Sequence, residues 1–519
     1  MKLGKLLSAM RAAGITVSED QGDDHNTPDR EMEVTSLHYD TRQVKPGGLF
    51  VAIQGFSTDG HRYIRDAVAS GAVAVVVQKP SSAPIPVFQV SDSRRALAVL
   101  ADQFFGNPSR QLTIIGITGT NGKTTTAYLI ERMLLEAGFQ VGVIGTVNYR
   151  YKGHVFENPV TTPESLDLQR ILAQMKSEGV THVVLEVSSH AIDLSRIESC
   201  RLDVGVFTNL TQDHLDYHGD MDHYWACKKR LFTEHLGIGK KAMAVINIDT
   251  PRGRELVSNL SYPCITTGRS AACTVRSGST TIDFDGIRGS IVTPGGSLQI
   301  DSPLVGEHNL ENILSAAGAG SALALPPGTI QAGINRTLSV PGRLERVPGN
   351  AEIPVFVDYA HTPDALENVL KALNRLAPER IICIFGCGGD RDKTKRPLMG
   401  QIAATASHLA IVTSDNPRSE DPGDIIDQIL TGIRRVRQNE YTVETLQDGF
   451  KHKGYCREPD RKRAIQTGIL AAKPGDIVLI AGKGHETYQI IGDRSRPFDD
   501  RVVAQSVLSK LPTEVHKKR

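Results

Sequence analysis

The chain has 519 residues, more than a single hydrophobic core normally organises, so its length predicts about three domains. Its 59 basic and 58 acidic side chains nearly cancel, and with 40% apolar residues the composition is that of ordinary globular protein, which argues against a general nucleic-acid binder. The seven cysteines include no C-x-x-C pair, which argues against a disulfide framework or a zinc site.

The first hundred residues begin with a short apolar stretch and continue with strand-sized apolar runs. Arg11 interrupts that stretch and an acidic segment follows from Glu19, which argues against a secretory signal and predicts a cytoplasmic protein. The apolar runs are far shorter than the roughly 18 to 20 residues that cross a bilayer. We predict strands at 48–53, 72–77 and 87–90, then a helix over 94–105 that ends at Gly106-Asn107-Pro108.

The rest of the chain alternates short apolar strands with helix-period segments, which is typical of parallel sheets covered by helices. A strand over 112–118 leads into a glycine-rich turn and a helix over 127–137. Weak alternation between 270 and 300 indicates an antiparallel excursion. Further strands are predicted at 180–187, 204–209, 242–248, 355–358, 381–385, 409–412 and 477–481.

These elements predict an α/β fold of three domains with boundaries near residues 109 and 340. The second boundary lies at the linker-like sequence Val340-Pro341-Gly342-Arg343. Residues 110–340, which contain the glycine-rich turn after the strand over 112–118, would form a parallel sheet of the P-loop ATPase type, and residues 341–519 a Rossmann-like doubly wound sheet. Residues 1–109 would form the remaining, amino-terminal domain.

A glycine-rich turn between the strand over 112–118 and the following helix predicts a phosphate site. In such a turn, backbone N–H groups and the helix N-terminus surround phosphate oxygens. Lys123 would neutralise the β- and γ-phosphates, and Thr124 would reach Mg²⁺. The general motif has glycine where this chain has Ile117, so a tight turn with an incidental lysine is the alternative. The motif residues are Gly119, Thr120, Asn121, Gly122, Lys123, Thr124 and Thr125.

Polar clusters follow two other strands of the predicted central domain. Glu186 ends the apolar run 180–187 and is a candidate magnesium ligand, because Mg²⁺ prefers oxygen. His214, in Asn209-Leu210-x-x-Asp213-His214, could bind a second metal, although a structural histidine is the alternative. Lys228 lies in a predicted helix, where its spacing alone indicates a solvated charge.

Three polar turns follow strands of the predicted carboxy-terminal domain. They are Asp358-Tyr359-Ala360-His361, Asp415-Asn416-Pro417-Arg418 and Gly482-Lys483-Gly484-His485-Glu486. Each by itself could be a structural turn. Because all three end strands of one sheet, beside Asp390-Arg391-Asp392-Lys393, together they predict a second site.

The ordered motifs give the chain a clear resemblance. With T-G-T-N-G-K-T-T, E-V-S-S-H, N-L-x-x-D-H-L-D-Y-H, H-N-x-x-N, D-Y-A-H-T-P, D-N-P-R and G-K-G-H-E in this order, it resembles the Mur ligases from about Asp40 to about Asp500. The resemblance implies an amino-terminal UDP-sugar domain, a central ATPase and a carboxy-terminal amino-acid domain. It also implies a monomer that uses ATP and Mg²⁺ in peptidoglycan precursor synthesis.

The implied reaction forms an amide bond. ATP phosphorylates the D-glutamyl side-chain carboxylate of a UDP-muramoyl dipeptide, and an amino acid attacks the acyl phosphate. The motifs favour meso-diaminopimelate as that amino acid, because Arg418 can hold its distal carboxylate with two hydrogen bonds that lysine cannot accept. The alternatives are the lysine-adding version, another Mur ligase or a folylpolyglutamate-type ligase. A nucleotide-dependent binding protein without catalysis is the rival from another class.

The resemblance also assigns residue roles. The phosphate loop binds the nucleotide together with Asn309, Arg343 and Asp358. The resemblance makes metal ligands of Glu186 and His214, and it counts both as catalytic together with Lys123 and Lys228. Lys228 would be carbamylated to hold magnesium, although neighbouring Lys229 leaves the register ambiguous. The UDP-muramoyl peptide would be bound by Thr41, Phe56, Ser57, Thr58, Thr161, Thr162, Ser188, Leu194 and Arg196. The amino acid would be bound by Arg391, Asp415, Asn416, Pro417, Arg418, Gly482 and Glu486.

Overall fold

The computed structural model describes residues 1–19, 29–55, 58–237, 242–349 and 352–511. Its residues form two compact units. The first comprises Met1–Arg276, Thr293–Gly296 and Leu314–Gly333, and the second comprises Ser277–Val292, Ser297–Ile313 and Ile334–Arg519. The α/β class and the parallel sheets predicted from sequence are confirmed. The domain boundaries near 109 and 340 stay a prediction.

The amino-terminal part of the first unit is a five-stranded sheet in the order β1-β5-β4-β3-β2. All neighbours are parallel except β1 and β5. The strands are β1 (Val17–Glu19), β2 (Ser36–His38), β3 (Gly48–Val51), β4 (Ala72–Val77) and β5 (Val87–Val90). The helices are α1 (Leu3–Ala12), α2 (Ile64–Ala69) and α3 (Ser93–Phe104).

The larger sheet of the first unit carries the phosphate loop. Its parallel strands lie in the order β13-β12-β11-β6-β10-β7, and β8 and β9 extend it in antiparallel orientation. The strands are β6 (Thr113–Thr118), β7 (Val141–Ile144), β8 (Tyr149–Tyr151), β9 (His154–Phe156), β10 (His182–Glu186), β11 (Val204–Phe207), β12 (Met243–Asn247) and β13 (Cys264–Gly268).

Helices connect these strands and cover the sheet. They are α4 (Lys123–Glu136), α5 (Ser165–Ser177), α6 (Ser189–Asp193), α7 (Leu215–His218), α8 (Met221–Arg230) and α9 (Pro251–Ser258). Three neighbouring strands, β14 (Val275–Asp283), β15 (Gly286–Thr293) and β16 (Gly296–Ser302), occupy the segment predicted as an antiparallel excursion. They are followed by α10 (Glu307–Ala322) and α11 (Pro327–Asn335).

The second unit contains a seven-stranded sheet in the order β17-β18-β23-β19-β20-β22-β21. Every neighbouring pair is parallel except β17 and β18. The strands are β17 (Glu345–Arg346), β18 (Val355–Asp358), β19 (Ile381–Phe385), β20 (Leu409–Val412), β21 (Glu440–Tyr441), β22 (Gly454–Arg457) and β23 (Ile477–Ala481). A hairpin of β24 (Tyr488–Ile491) and β25 (Arg494–Pro497) follows β23.

Helices cover both faces of this sheet. They are α12 (Pro363–Asn374), α13 (Lys395–Ala406), α14 (Pro422–Ile433), α15 (Val443–Leu446), α16 (Arg461–Leu470) and α17 (Asp500–Leu508). Alternate residues of β19 enter two different cores: Ile381, Cys383 and Phe385 pack on the face of α12 to α14, and the residues between them pack on the face of α16 and α17. Burial on both faces explains why such strands read as continuous apolar runs.

The helices form where capping residues and apolar spacing agree. Thr362 caps α12 through a hydrogen bond from the Ala365 N–H, and Pro363 occupies the first helical position. The buried face of α12 then repeats at helical spacing with Leu366, Val369, Leu370 and Leu373. Among the described helices, none is long and apolar enough to span a bilayer.

Candidate functional site

The phosphate loop is a tight turn between β6 and α4. Gly119 and Gly122 have φ of 147° and 85°, conformations that favour glycine. A Cβ atom at residue 119 would also lie 1.9 Å from the Thr208 hydroxyl oxygen. The turn therefore needs glycine at this position, and it brings the loop directly to the N-terminus of α4, where the helix dipole favours an anion.

The segment after β11 holds the loop in this conformation. Asn209 accepts hydrogen bonds from the Thr120 N–H through its backbone carbonyl (2.9 Å) and from the Asn121 N–H through its side chain (3.0 Å). The Thr208 hydroxyl donates to the Asn121 carbonyl at 2.6 Å. Neither Thr208 nor Asn209 was predicted to have a role, and the structure identifies both as supports of the phosphate loop.

Lys123 folds over the loop that precedes it. Its Nζ donates to the carbonyl oxygens of Gly119 and Thr120, both at 2.9 Å. The ammonium group is thus next to the backbone that the sequence predicts to surround phosphate. Thr125 follows in the first turn of α4 and is buried.

Glu186, at the end of β10, joins the phosphate loop to the turn after β7. Its Oε2 accepts hydrogen bonds from the hydroxyls of Thr124 (3.0 Å) and Thr146 (2.9 Å), and only 2% of Glu186 is exposed. The Thr146 N–H donates to the other carboxylate oxygen at 3.2 Å. A buried carboxylate beside a hydroxyl is an oxygen donor set that suits Mg²⁺. Thr146 had not been predicted as part of this group.

Lys228 is buried beneath the phosphate loop and is only 1% exposed. Its Nζ donates to the Gly119 carbonyl at 3.0 Å and lies 4.5 Å from the centre of the Tyr224 ring. Burial, and then the nearby charge of Lys123, lower the pKa of the Lys228 ammonium well below its ordinary value. The helical spacing alone had indicated a solvated charge, and that interpretation is wrong. Lys229 is partly exposed, so Lys228 is the lysine that faces the loop.

His214 is more exposed than the other predicted catalytic residues. Its side chain is 45% exposed and its Nε2 lies 3.5 Å from Asp213 Oδ2. Its ring also packs edge-on against His190, with ring centres 4.9 Å apart. Within the described residues, no group of three or more histidine, cysteine, aspartate or glutamate side chains is arranged to hold a metal ion. The metal role of His214 therefore stays a prediction.

The residues predicted to bind the muramoyl peptide lie close to Glu186. Thr162 donates its hydroxyl hydrogen to the Glu186 carbonyl (2.8 Å) and accepts from the Ser188 N–H (3.2 Å). Arg196 donates to the Thr162 carbonyl at 3.0 Å. The Thr161 hydroxyl is 3.2 Å from that of Thr146. These side chains form one connected group.

The other predicted substrate residues are not part of this group. Leu194 directly follows the last residue of α6 and is partly exposed. Thr41 begins a 3₁₀ turn that Asp40 caps, and the Thr58 hydroxyl donates to the Tyr63 hydroxyl at 3.2 Å. Phe56 and Ser57 lie outside the described residues.

The remaining predicted nucleotide residues belong to the second unit. Asn309 is buried, and its side chain donates to the Val305 carbonyl at 2.8 Å. The Arg343 guanidinium lies 5.2 Å from the centre of the Tyr359 ring. Asp358 accepts hydrogen bonds from the N–H groups of Leu344 (2.6 Å) and Ala360 (2.8 Å), and burial raises the pKa of its carboxyl group.

A buried polar network joins two of the predicted amino-acid loops. The Asn416 amide donates to Glu486 Oε2 at 2.9 Å, and Lys483 Nζ donates to the same oxygen at 2.9 Å and to the Asn416 Oδ1 at 3.2 Å. Lys483 is fully buried. Since the Ile490 N–H also donates to Asn416 Oδ1, both ends of this amide are engaged within the protein. In the sequence, Lys483 was part of the G-K-G-H-E motif but was not predicted to be a binding residue.

Arg418 occupies a left-handed backbone position, with φ of 52°. Its backbone N–H donates to the Ile490 carbonyl at 3.2 Å, and its guanidinium donates to the Gly389 carbonyl at 2.8 Å. The side chain is partly exposed rather than buried, and Arg391 is exposed. Gly482 has φ of 113°, and a Cβ atom there would lie 2.6 Å from Asp415 Oδ2. Asp415 and Pro417 are buried.

Family models match most of the chain in three consecutive segments. Residues 33–105 match the Mur ligase family catalytic domain, residues 117–320 the Mur ligase middle domain, and residues 342–484 the Mur ligase glutamate ligase domain.

Individual proteins agree with these matches. The UDP-N-acetylmuramoyl-L-alanyl-D-glutamate--2,6-diaminopimelate ligase of Geobacter metallireducens is 50% identical over 488 residues, which cover 93% of this chain and 96% of that protein. A solved structure of a ligase with the same name is 30% identical, covers 98% of each chain and has a TM-score of 0.67.

A more distant solved structure shares the fold. The MurF ligase of Thermotoga maritima in complex with ADP is 19% identical, with 92% of this chain and 97% of that chain covered and a TM-score of 0.61. The matched segments, the relative at 50% identity and the ordered motifs agree, and the chain therefore belongs to the Mur ligase family.

Proposed function

We propose that this protein is an ATP-dependent ligase that joins meso-2,6-diaminopimelate to the D-glutamyl side-chain carboxylate of UDP-N-acetylmuramoyl-L-alanyl-D-glutamate. The observation that carries the proposal is the edge of the carboxy-terminal sheet, where Arg418 stands two residues from Asn416, which is hydrogen-bonded to Glu486. This edge offers a cation for a carboxylate and an anion for an ammonium group, the pair found on the distal carbon of diaminopimelate. The name of the relative at 50% identity supports the same substrates.

The phosphate loop binds the triphosphate in this proposal. Lys123 and the N-terminus of α4 neutralise charge on the β- and γ-phosphates, which favours transfer of the γ-phosphoryl group to the D-glutamyl carboxylate. The amino nitrogen then attacks the acyl carbon, the bond from that carbon to the phosphate oxygen breaks, and the nitrogen loses a proton. Most of the rate enhancement comes from holding these groups together.

Thr124 and Glu186 are the residues that would hold Mg²⁺, because they provide a hydroxyl and a carboxylate oxygen 3.0 Å apart. A bound Mg²⁺ supplies positive charge that screens the phosphates. Thr146 orients Glu186 by donating to both of its carboxylate oxygens. His214 is the candidate for a second metal position.

Lys228 is the candidate for carbamylation. Its amine is buried and forms no ion pair with any described residue. The ammonium group first loses a proton, which the burial of Lys228 favours. The neutral amine nitrogen then bonds to the carbon of CO₂ and loses a second proton, so that an anion replaces the buried cation. The support for this role is the burial of Lys228 beside the phosphate loop, together with the family resemblance.

The UDP-muramoyl peptide contacts the group formed by Thr161, Thr162, Ser188 and Arg196.

We place the protein in the cytoplasm as a monomer. All seven cysteines are free thiols, which fits a reducing compartment.

Ligation assays test the proposal. The full chain is incubated with ATP, Mg²⁺ and the UDP-muramoyl dipeptide, with meso-diaminopimelate, L-lysine, L-glutamate or no amino acid. We expect phosphate release and a tripeptide product, identified by mass, only with diaminopimelate. Phosphate release that is independent of any amino acid would contradict ligation. Equal turnover with lysine would contradict only the proposed specificity.

A further inference from the structure

A buried ion pair joins the first residues of two helices in the second unit. Arg461 begins α16 and Asp500 begins α17, and both side chains are completely buried. The guanidinium donates from Nε to Asp500 Oδ1 at 2.8 Å and from Nη2 to Asp500 Oδ2 at 2.7 Å. This two-pronged geometry fixes the plane of the guanidinium.

The other hydrogen bonds of Arg461 reach the two predicted amino-acid loops. Nη2 donates to the Ala481 carbonyl at 3.0 Å, and Nη1 donates to the Ser414 carbonyl at 3.3 Å. Ala481 directly precedes Gly482 and the G-K-G-H-E loop, whereas Ser414 directly precedes the D-N-P-R loop. One guanidinium group is therefore hydrogen-bonded to the two residues that directly precede the two loops.

The charges around Arg461 fit this arrangement. Burial disfavours its charged form, but Asp500 and the more distant Asp415 and Glu486 hold the pKa of the guanidinium above its ordinary value. Asp415 and Glu486 belong to the two loops, so the buried cation attracts both of them.

We propose that Arg461, held by Asp500, is a positioning residue that sets the separation between the D-N-P-R and G-K-G-H-E loops and thereby the affinity for the incoming amino acid. The inference rests on the proposed function of these loops. It predicts that α17 contributes to substrate affinity although none of its residues lies in either loop.

A second Arg–Asp pair in the same sheet provides a matched control. Arg380 precedes β19 and Asp476 precedes β23, so this pair lies at the amino ends of the strands, opposite the loops. Arg380 Nε donates to both Asp476 oxygens, at 2.9 and 3.2 Å, and its Nη1 donates to the Phe450 carbonyl. The chemistry is the same, but no predicted site residue is bonded to this pair.

The experiment compares Asp500→Asn and Arg461→Lys with Asp476→Asn and Arg380→Lys in the full chain. For each variant, KM is measured for diaminopimelate, ATP and the UDP-muramoyl dipeptide, together with the melting temperature. KM does not depend on the fraction of protein that is folded, so partial misfolding does not obscure the result.

We expect the Arg461 and Asp500 variants to raise KM for diaminopimelate about tenfold to a hundredfold, because small displacements of binding groups have effects of this order. KM for ATP should change less than about twofold in the same variants, since the inference concerns the amino-acid loops alone. The control variants should lower the melting temperature and leave all three KM values unchanged.

Two outcomes would overturn the inference, and they can be told apart. The first outcome is an unchanged KM for diaminopimelate in both Arg461→Lys and Asp500→Asn while the wild-type protein still carries out ligation. It would mean that the ion pair only stabilises the fold, and the proposed function would be unaffected. Absence of ligation by the wild-type protein with every amino acid would overturn the proposed function and this inference with it.

Discussion

Different kinds of interaction fix the conformations of the phosphate loop and of the amino-acid loops. Residues 119–124 are contiguous, and their shape comes from two glycines, backbone hydrogen bonds to Asn209 and one helix N-terminus. The amino-acid loops come from separate strand ends, and side chains join them: the Asn416 amide, the Lys483 ammonium and the Glu486 carboxylate.

The same contrast holds for the two buried lysines. Lys228, below the phosphate loop, donates to a backbone carbonyl and forms no ion pair with any described residue. Lys483, between the amino-acid loops, is paired with Glu486 at 2.9 Å. A buried ammonium group without an anion is costly. We infer that Lys483 serves as a structural cation, whereas Lys228 is poised to change its charge.

Replacing Lys228 should produce the largest effect. Lys228→Met removes the proposed carbamate below the phosphate loop, and we expect the ligation rate to fall about a hundredfold to a thousandfold, the usual effect of removing one catalytic charge. Lys229→Met is the matched control, and because this neighbour is partly exposed it should alter the rate less than about twofold. The mass of the intact wild-type protein, measured by native mass spectrometry, should exceed the mass of the sequence by that of one CO₂. Equal losses in both variants would contradict the distinction between the two lysines.

A change at Arg418 should affect one substrate selectively. Arg418→Lys keeps the charge but loses the two-pronged hydrogen bond, so KM for diaminopimelate should rise about tenfold, equivalent to about 1.4 kcal/mol. KM for ATP should stay constant. Arg457→Lys serves as control because Arg457 also ends a strand of this sheet but is paired with Asp427. A parallel rise in both KM values after Arg418→Lys would remove the residue from the amino-acid site.

The smallest effect is expected at Gly482. Gly482→Ala would place a methyl group 2.6 Å from Asp415 Oδ2, and we expect KM for diaminopimelate to rise about fivefold as Asp415 shifts. Gly449→Ala is the control, since Gly449 also has positive φ (82°) but a Cβ atom there would make only an ordinary contact, 3.5 Å from the Lys473 side chain. Both variants should lose about 1 kcal/mol of stability from backbone strain. If KM changes equally in both, strain rather than the contact with Asp415 is responsible.

Much of the fold could be predicted because its strands are buried on both faces. The predicted strands 381–385, 409–412 and 477–481 have the same bounds as β19, β20 and β23. The helix predicted over 127–137 instead begins at Lys123, four residues earlier. Its first turn contains Thr124, Thr125 and Thr126, and all three are buried. Because they are polar and β-branched, a prediction based on apolar residues at helical spacing did not include them in the helix.

The candidate site was less accessible to sequence analysis wherever it depends on distant residues. The phosphate loop could be recognised because its residues are consecutive. Thr146 contacts Glu186 across 40 positions and Lys483 contacts Asn416 across 67, and neither contact has a local spacing that could reveal it. For Lys228 the helical spacing was misleading, because it gives the face of a helix but not what packs against that face.

The Gly119 carbonyl accepts hydrogen bonds from both Lys123 and Lys228, at 2.9 and 3.0 Å. The states of these two lysines are therefore thermodynamically linked through one oxygen atom and through their mutual repulsion. If carbamylation turns the Lys228 cation into an anion, Lys123 keeps its hydrogen bond to the Gly119 carbonyl and is next to an anion instead of a second cation. By reciprocity, any factor by which dissolved CO₂ strengthens nucleotide binding is also the factor by which bound nucleotide increases carbamylation.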